Sequence, residues 1–157
     1  MMADAFIEAG CDGNTGHDQP YDRLQRGEHI EWPKAWPAVV RRSYPHGEDW
    51  PDLDQLRRDF RERFAAETVV IAIWRIFFAV CESKVRHGNV EQANVVAETA
   101  RAYRLLEKQL ADFNGEVVEV RYERFVRLEH ERERLFASCG LSTPQLKLYD
   151  GNAKHRK

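Results

Sequence analysis

Two patterns of hydrophobic residues recur along this chain, and each predicts a type of element. An amphipathic helix is predicted over residues 51–65, where proline stands at an entry position and the apolar residues share one face: Leu53, Leu56, Phe60 and Phe64. Residues 68–74, TVVIAIW, are continuously apolar and rich in β-branched side chains, which is typical of a parallel strand covered on both faces. We therefore expect this run to be the central strand of a sheet.

The other segments continue an alternation of strands and helices. Before the amphipathic helix we predict a helix over 1–9 closed by Gly10, an irregular segment over 11–37 and a short strand over 38–44. After the central strand we predict a helix over about 79–86, a long helix over 90–113, a strand over 117–121 and a last helix closed by Gly140. Its apolar face comprises Phe125, Leu128, Leu135 and Phe136. This order predicts an α/β fold, an open and mostly parallel sheet flanked by helices.

Composition narrows the possible functions. The 157 residues, 43% of them hydrophobic, suffice for one domain with a sizeable core. The 24 Lys and Arg residues nearly balance 26 Asp and Glu residues, so general nucleic-acid binding is not expected and an anion site must be local. The longest apolar run, residues 68–78, is too short for a transmembrane segment. Three widely spaced cysteines without a signal peptide predict a cytoplasmic location, and no His or Cys spacing predicts a metal.

Arg75 stands where the predicted central strand passes into a helix. In open α/β sheets, ligands bind beyond the carboxyl ends of strands, where helix N-termini favour anions. Tyr122 follows the next predicted strand, and Ser83 lies about one turn into the helix predicted after Arg75. A guanidinium and a hydroxyl together could hold a phosphate. In the alternative interpretation, Arg75 extends from the sheet edge into solvent and Ser83 is a surface residue.

Two blocks of sequence resemble one enzyme family. The run VVIAIWR, with Ser83 eight residues after Arg75, resembles the strand–arginine–helix–serine element of sulfotransferases that use 3′-phosphoadenosine 5′-phosphosulfate. Residues 116–141, EVVEVRYERFVRLEHERERLFASCGL, resemble a second segment of that family, with a strand, an R-Y-E signature and a helix closing in a Gly-Leu pair. With the connecting helices, the resemblance covers residues 38–141 and implies a P-loop-like fold.

The resemblance also implies a reaction and residue roles. Arg75 and Ser83 would bind the 3′-phosphate of the co-substrate 3′-phosphoadenosine 5′-phosphosulfate, Tyr122 would contact its adenine side, and Glu123 would be a structural acid. The enzyme would transfer a sulfuryl group to a hydroxyl or amine of an acceptor that the sequence does not identify. In the segment RRSYPHG, His46 is the candidate general base, and Arg41 or Arg42 stands in place of a family lysine. The same segment is also consistent with an exposed turn.

The chain departs from the family pattern at two places. Ile76 and Phe77 follow the arginine, where family members usually have Asp or Asn and often proline. The Gly-rich loop that binds the 5′-phosphosulfate is not recognisable, because residues 13–16 carry no basic residue and are typical of a turn. Residues 1–10 resemble the helix that follows that loop. We therefore expect a single domain over 1–157, incomplete at its N-terminus, with a flexible basic tail over 142–157.

Three functional hypotheses remain open. The first is a sulfotransferase, and the second is a catalytically inactive remnant of the same fold that binds nucleotide or a protein partner. The third is an unrelated P-loop phosphotransferase, which needs the same missing loop. Two further features are also explained by structural roles. Trp32, Trp36 and Trp50 either line an acceptor pocket or pack a long loop onto the domain. The charged run 129–134 is predicted to be a solvated helix face.

Overall fold

Helices and strands alternate in the computed structural model, which describes residues 2–14, 23, 26, 28, 33–41, 44, 50–88, 91–146 and 148. The N-terminal elements are α1 (Met2–Glu8), β1 (Asp12–Asn14), β2 (Ala38–Val40) and α2 (Leu53–Phe64). The C-terminal elements are β3 (Val69–Trp74), α3 (Phe77–Arg86), α4 (Val95–Asp112), β4 (Glu116–Arg121), α5 (Tyr122–Arg127) and α6 (Glu129–Ser138). The mixed α/β class predicted from the sequence is confirmed.

The described strands pair in parallel, but they form two sheets of two strands each. β1 pairs with β2, and β3 pairs with β4 in a register that aligns Val69 with Glu116 and Trp74 with Arg121. The prediction of parallel pairing is confirmed. Among the described strands β3 has one neighbour, so the expectation that it is a central strand is not met.

The two faces of the β3–β4 pair are buried to different extents. On one face of β3, Ala72 and Trp74 are buried, and the Trp74 ring lies 5.3 Å from the ring of Tyr103 in α4. On the other face, Val120 of β4 is buried in the main core, whereas its neighbour Ile73 is 41% exposed. β3 is therefore covered on one face only at this end, despite its continuously apolar sequence.

The short strand β1 lies in the segment 11–37 that was predicted to be irregular, so this prediction is wrong for residues 12–14. Its residues are polar, and it is a strand because it pairs with β2 rather than because of its own propensity. Gly13 permits this pairing, since a Cβ atom there would lie 2.6 Å from Cγ1 of Val39. A larger residue at this position would require Val39 to shift.

The main core joins the N-terminal helix to the C-terminal helices. Phe6 of α1 packs on Phe136 of α6 with ring centroids 4.9 Å apart, and Phe125 and Phe136 are completely buried. Leu146 and Leu148 pack against this core from the segment that follows α6. Within the described residues, no helix has the length and hydropathy that a bilayer crossing requires.

The last predicted helix is two helices, which is a correction to the sequence interpretation. Leu128 has an extended backbone (φ −112°, ψ 118°) and separates α5 from α6. Nη1 of Arg132 donates hydrogen bonds to the carbonyl oxygens of Phe125 and Val126 at 3.0 and 3.3 Å. The side chain thereby satisfies backbone acceptors at the end of α5, where the helix supplies no partner. Leu128 itself is 37% exposed and does not share the buried face.

Candidate functional site

The register of β3 and β4 brings two of the predicted site residues together. Because Trp74 aligns with Arg121, the residues that follow them, Arg75 and Tyr122, lie side by side at the carboxyl edge of the pair. The Cζ atom of Arg75 lies 5.0 Å from the centroid of the Tyr122 ring, which is a cation–π contact. A positive charge and an aromatic ring therefore share the edge at which parallel sheets bind ligands.

Two further side chains fix the backbone at this junction. The hydroxyl of Tyr103 donates a 2.7 Å hydrogen bond to the carbonyl oxygen of Arg75. The N–H of Ile76 donates a 2.9 Å hydrogen bond to Oε1 of Glu123. We call Arg75, Tyr103, Tyr122 and Glu123 the strand-end cluster.

Glu123 stabilises the start of α3. Ile76 is the N-cap residue of this helix, and no side chain of its own caps the helix. A carboxylate that accepts a hydrogen bond at this position satisfies a backbone donor and interacts favourably with the positive end of the helix dipole. The structural role that the resemblance implies for Glu123 is consistent with this geometry.

Tyr103 was not predicted as a site residue. It lies in an aromatic group with Trp74 and Phe77, whose ring centroids are 5.3 and 5.7 Å from its own. Burial raises the pKa of Tyr103 above its ordinary value of 10.0, and the Glu123 carboxylate raises this pKa further. The Arg75 charge lowers the same pKa, but burial dominates. The hydroxyl therefore remains protonated, and can donate, at neutral pH.

Ser83 lies deeper in its helix than the sequence predicts. α3 begins at Phe77 rather than near residue 79, so Ser83 is almost two turns into the helix, about 9 Å along its axis from Phe77. Ser83 shares a helix face with Ala79, which is buried, and Ser83 itself is half-buried.

The candidate base His46 lies outside the described residues, as do Arg42 and Trp32. Arg41 is described, and it follows β2 directly with an exposed side chain. Trp50 packs against Tyr44 at 5.7 Å between ring centroids, and the Arg101 guanidinium lies 5.0 Å from its ring centroid. These contacts favour the packing interpretation for Trp50.

Trp36 has a different environment. It is 54% exposed, and its ring centroid lies 6.0 Å from that of Phe64 at the end of α2. Despite this contact, more than half of the residue is accessible. Trp36 is therefore an exposed residue, and neither Trp36 nor Trp50 belongs to the strand-end cluster.

The charged run 129–134 is not a uniformly solvated face, which corrects the prediction. Glu131 is only 9% exposed and accepts a 3.0 Å hydrogen bond from Nη2 of Arg134. It also forms an ion pair with Arg124, so the carboxylate connects α5 to α6. The role of this group is structural, because its three members hold two consecutive helices together.

Comparison with known proteins assigns no family. The chain matches no family model, no curated protein and no solved structure. Its functional interpretation therefore depends on its own residues and on their geometry. Within the described part of the chain, no group of three or more His, Cys, Asp or Glu side chains is arranged to hold a metal ion.

Proposed function

We propose that this protein is a sulfotransferase-like protein that binds the nucleotide of 3′-phosphoadenosine 5′-phosphosulfate at the strand-end cluster. The observation that carries this proposal is the contact between Arg75 and Tyr122 at the carboxyl ends of two parallel strands. These are the residues to which the sequence resemblance assigns the 3′-phosphate and the adenine side of the nucleotide. Open α/β sheets bind nucleotides at this edge.

The chemistry of the cluster suits a phosphorylated nucleoside. A guanidinium can form two parallel hydrogen bonds to phosphate oxygens, and its charge persists at every physiological pH. The Tyr122 ring offers an aromatic surface for a purine. Ser83 adds a hydroxyl if the 3′-phosphate lies along α3.

In the proposed reaction, an acceptor hydroxyl or amine attacks the sulfur atom of the donor. The bond between sulfur and the bridging phosphate oxygen breaks, and adenosine 3′,5′-bisphosphate leaves with that oxygen. A base, for which His46 is the candidate, takes the acceptor's proton. The contribution of Arg75, Ser83 and Tyr122 is to bind and orient the donor.

A second candidate is supported by the sequence itself. The sequence contains no recognisable Gly-rich loop for the 5′-phosphosulfate, although the residues proposed to bind the 3′ side of the nucleotide are present. A protein with this set of residues can bind the bisphosphate without transferring sulfate. This candidate is a nucleotide-binding remnant of the same fold.

Calorimetric titration tests the binding proposal. We expect adenosine 3′,5′-bisphosphate to bind more tightly than ATP. Arg75→Ala should weaken bisphosphate binding at least about fivefold, which corresponds to ~1 kcal/mol for lost charge-assisted hydrogen bonds. Arg86→Ala is the matched control, because it removes an exposed arginine from the last turn of α3.

Several outcomes would contradict the proposal. Absence of bisphosphate binding by the wild-type protein, or wild-type affinity in Arg75→Ala, would reject the site. A preference for ATP would favour a phosphotransferase. If the bisphosphate binds, transfer of labelled sulfate from the donor to a panel of hydroxyl and amine acceptors distinguishes the enzyme from the remnant.

A further inference from the structure

The peptide group between Arg75 and Ile76 is held at both of its polar atoms by side chains. Tyr103 of α4 donates to its carbonyl oxygen at 2.7 Å, and Glu123 of α5 accepts from its N–H at 2.9 Å. The ladder between β3 and β4 ends at Trp74, and α3 begins at Phe77. The peptide therefore lies between a sheet and a helix, where regular backbone pairing does not determine its orientation.

The side chain of Tyr103 is itself fixed by its surroundings. Its ring packs between those of Trp74 and Phe77. Trp74 is in turn held by a 2.6 Å hydrogen bond from its Nε1 to Oε2 of Glu119 on the neighbouring strand. A ring confined in this way presents its hydroxyl at one place, so that little conformational freedom is lost when it binds the Arg75 carbonyl.

We propose that Tyr103 is a positioning residue that orients Arg75 for anion binding by fixing the Arg75–Ile76 peptide. This inference rests on the proposed function of the strand-end cluster, and it adds a residue that contacts no ligand. Because β3 ends at Trp74 and α3 begins at Phe77, the chain is held on both sides, and rotation of this peptide must also change the φ and ψ angles of Arg75. This change displaces the start of the Arg75 side chain. Binding sites lose affinity when the supporting residues allow a displacement of about 1 Å, and the Tyr103 hydroxyl prevents such a displacement.

The variant Tyr103→Phe tests the inference because it removes the hydroxyl and keeps the ring. We expect its affinity for adenosine 3′,5′-bisphosphate, measured by calorimetry, to fall roughly two- to tenfold, as for the loss of one hydrogen bond. Thr99→Val is the matched control. It removes a buried hydroxyl one turn earlier on the same helix, and it should bind as the wild type does.

A double-mutant cycle separates positioning from general stabilisation. If Tyr103 acts through the Arg75 side chain, Tyr103→Phe should have no further effect on affinity in an Arg75→Ala background. An equal loss of affinity in both backgrounds would show that Tyr103 is merely structural. Wild-type affinity in Tyr103→Phe would also overturn the inference.

A second readout needs no nucleotide. Hydrogen exchange of the Ile76 amide should be faster in Tyr103→Phe than in the wild type and in Thr99→Val, because the peptide is then held at one end only. Unchanged exchange at Ile76 would reject the inference whether or not the protein binds the bisphosphate. If the wild type fails to bind, the proposed function is rejected, and faster exchange at Ile76 would still support the positioning of Arg75 by Tyr103.

Discussion

Removal of the Glu131 carboxylate should destabilise the connection between α5 and α6 by a moderate and calculable amount. Glu131 is 9% exposed, but the side chains of its partners Arg124 and Arg134 are 60% and 64% exposed. Breaking a fully buried ion pair costs about 3–5 kcal/mol, because a charge is left without water. Here the arginines regain hydration when the carboxylate is removed, so that cost does not apply.

The expected magnitude follows from the two arginine contacts that Glu131→Ala removes. Each contact to a largely exposed partner is worth about 0.5–1 kcal/mol after solvent screening, which gives a loss of about 1–2 kcal/mol. For a domain of this size, that loss lowers Tm by roughly 2–8 °C. Urea denaturation gives the free energy of unfolding, and differential scanning calorimetry gives Tm. High salt should reduce the difference between variant and wild type.

Glu133→Ala is the control, since Glu133 is an exposed carboxylate on the same helix. Its free energy of unfolding should stay within about 0.5 kcal/mol of the wild type. The reasoning is refuted if Glu131→Ala is as stable as the wild type or if Glu133→Ala costs as much. A loss above about 4 kcal/mol would show instead that the arginines are not rehydrated.

Two further predictions concern the core. Phe136→Ala should lower the free energy of unfolding by about 3–5 kcal/mol in urea titrations, because Phe136 is completely buried. Phe78 is 73% exposed, so Phe78→Ala should change this free energy little. Comparable losses in the two variants would contradict the core assignment. Burial raises the pKa of the Cys11 and Cys139 thiols above 9.0 in the folded protein. As the pH rises, these thiols therefore ionise in the unfolded chain before they ionise in the folded protein, and Tm should fall from about pH 9 upward. The double variant Cys11→Ala, Cys139→Ala should show a flatter Tm profile between pH 8 and 10, and an unchanged slope would count against this origin.

Part of the candidate site was predictable because it depends on local sequence. The strand that ends at Trp74 and the strand that ends at Arg121 are both marked by β-branched apolar runs, and parallel strands align their carboxyl ends. The proximity of Arg75 and Tyr122 therefore follows from two strand predictions and one pairing rule. The predicted place of Ser83 within its helix was less accurate, because it depends on the residue at which the helix begins. Helix ends shift by one or two residues with their capping partners.

Tyr103 illustrates what sequence reasoning missed. It lies three residues after Ala100 and three before Leu106, so it belongs to the predicted apolar face of its helix. A tyrosine on such a face needs a partner for its hydroxyl, which was the available signal. The partner is a backbone carbonyl 28 residues away, and no periodicity within one helix identifies an acceptor on another element.

The sequence by itself determined the alternation of helices and strands, the parallel pairing and the two residues at the carboxyl edge of β3 and β4, because these depend on short-range hydrophobic patterns. Only the tertiary structure decided that β1 is a strand, that Leu128 divides the last helix and that Glu131 is buried. These features depend on contacts between residues distant in the chain or on different elements: Gly13 with Val39, Arg132 with the end of α5, and Glu131 with Arg124 of α5. Each is set by the packing of one element on another, for which a single sequence carries no periodic signal.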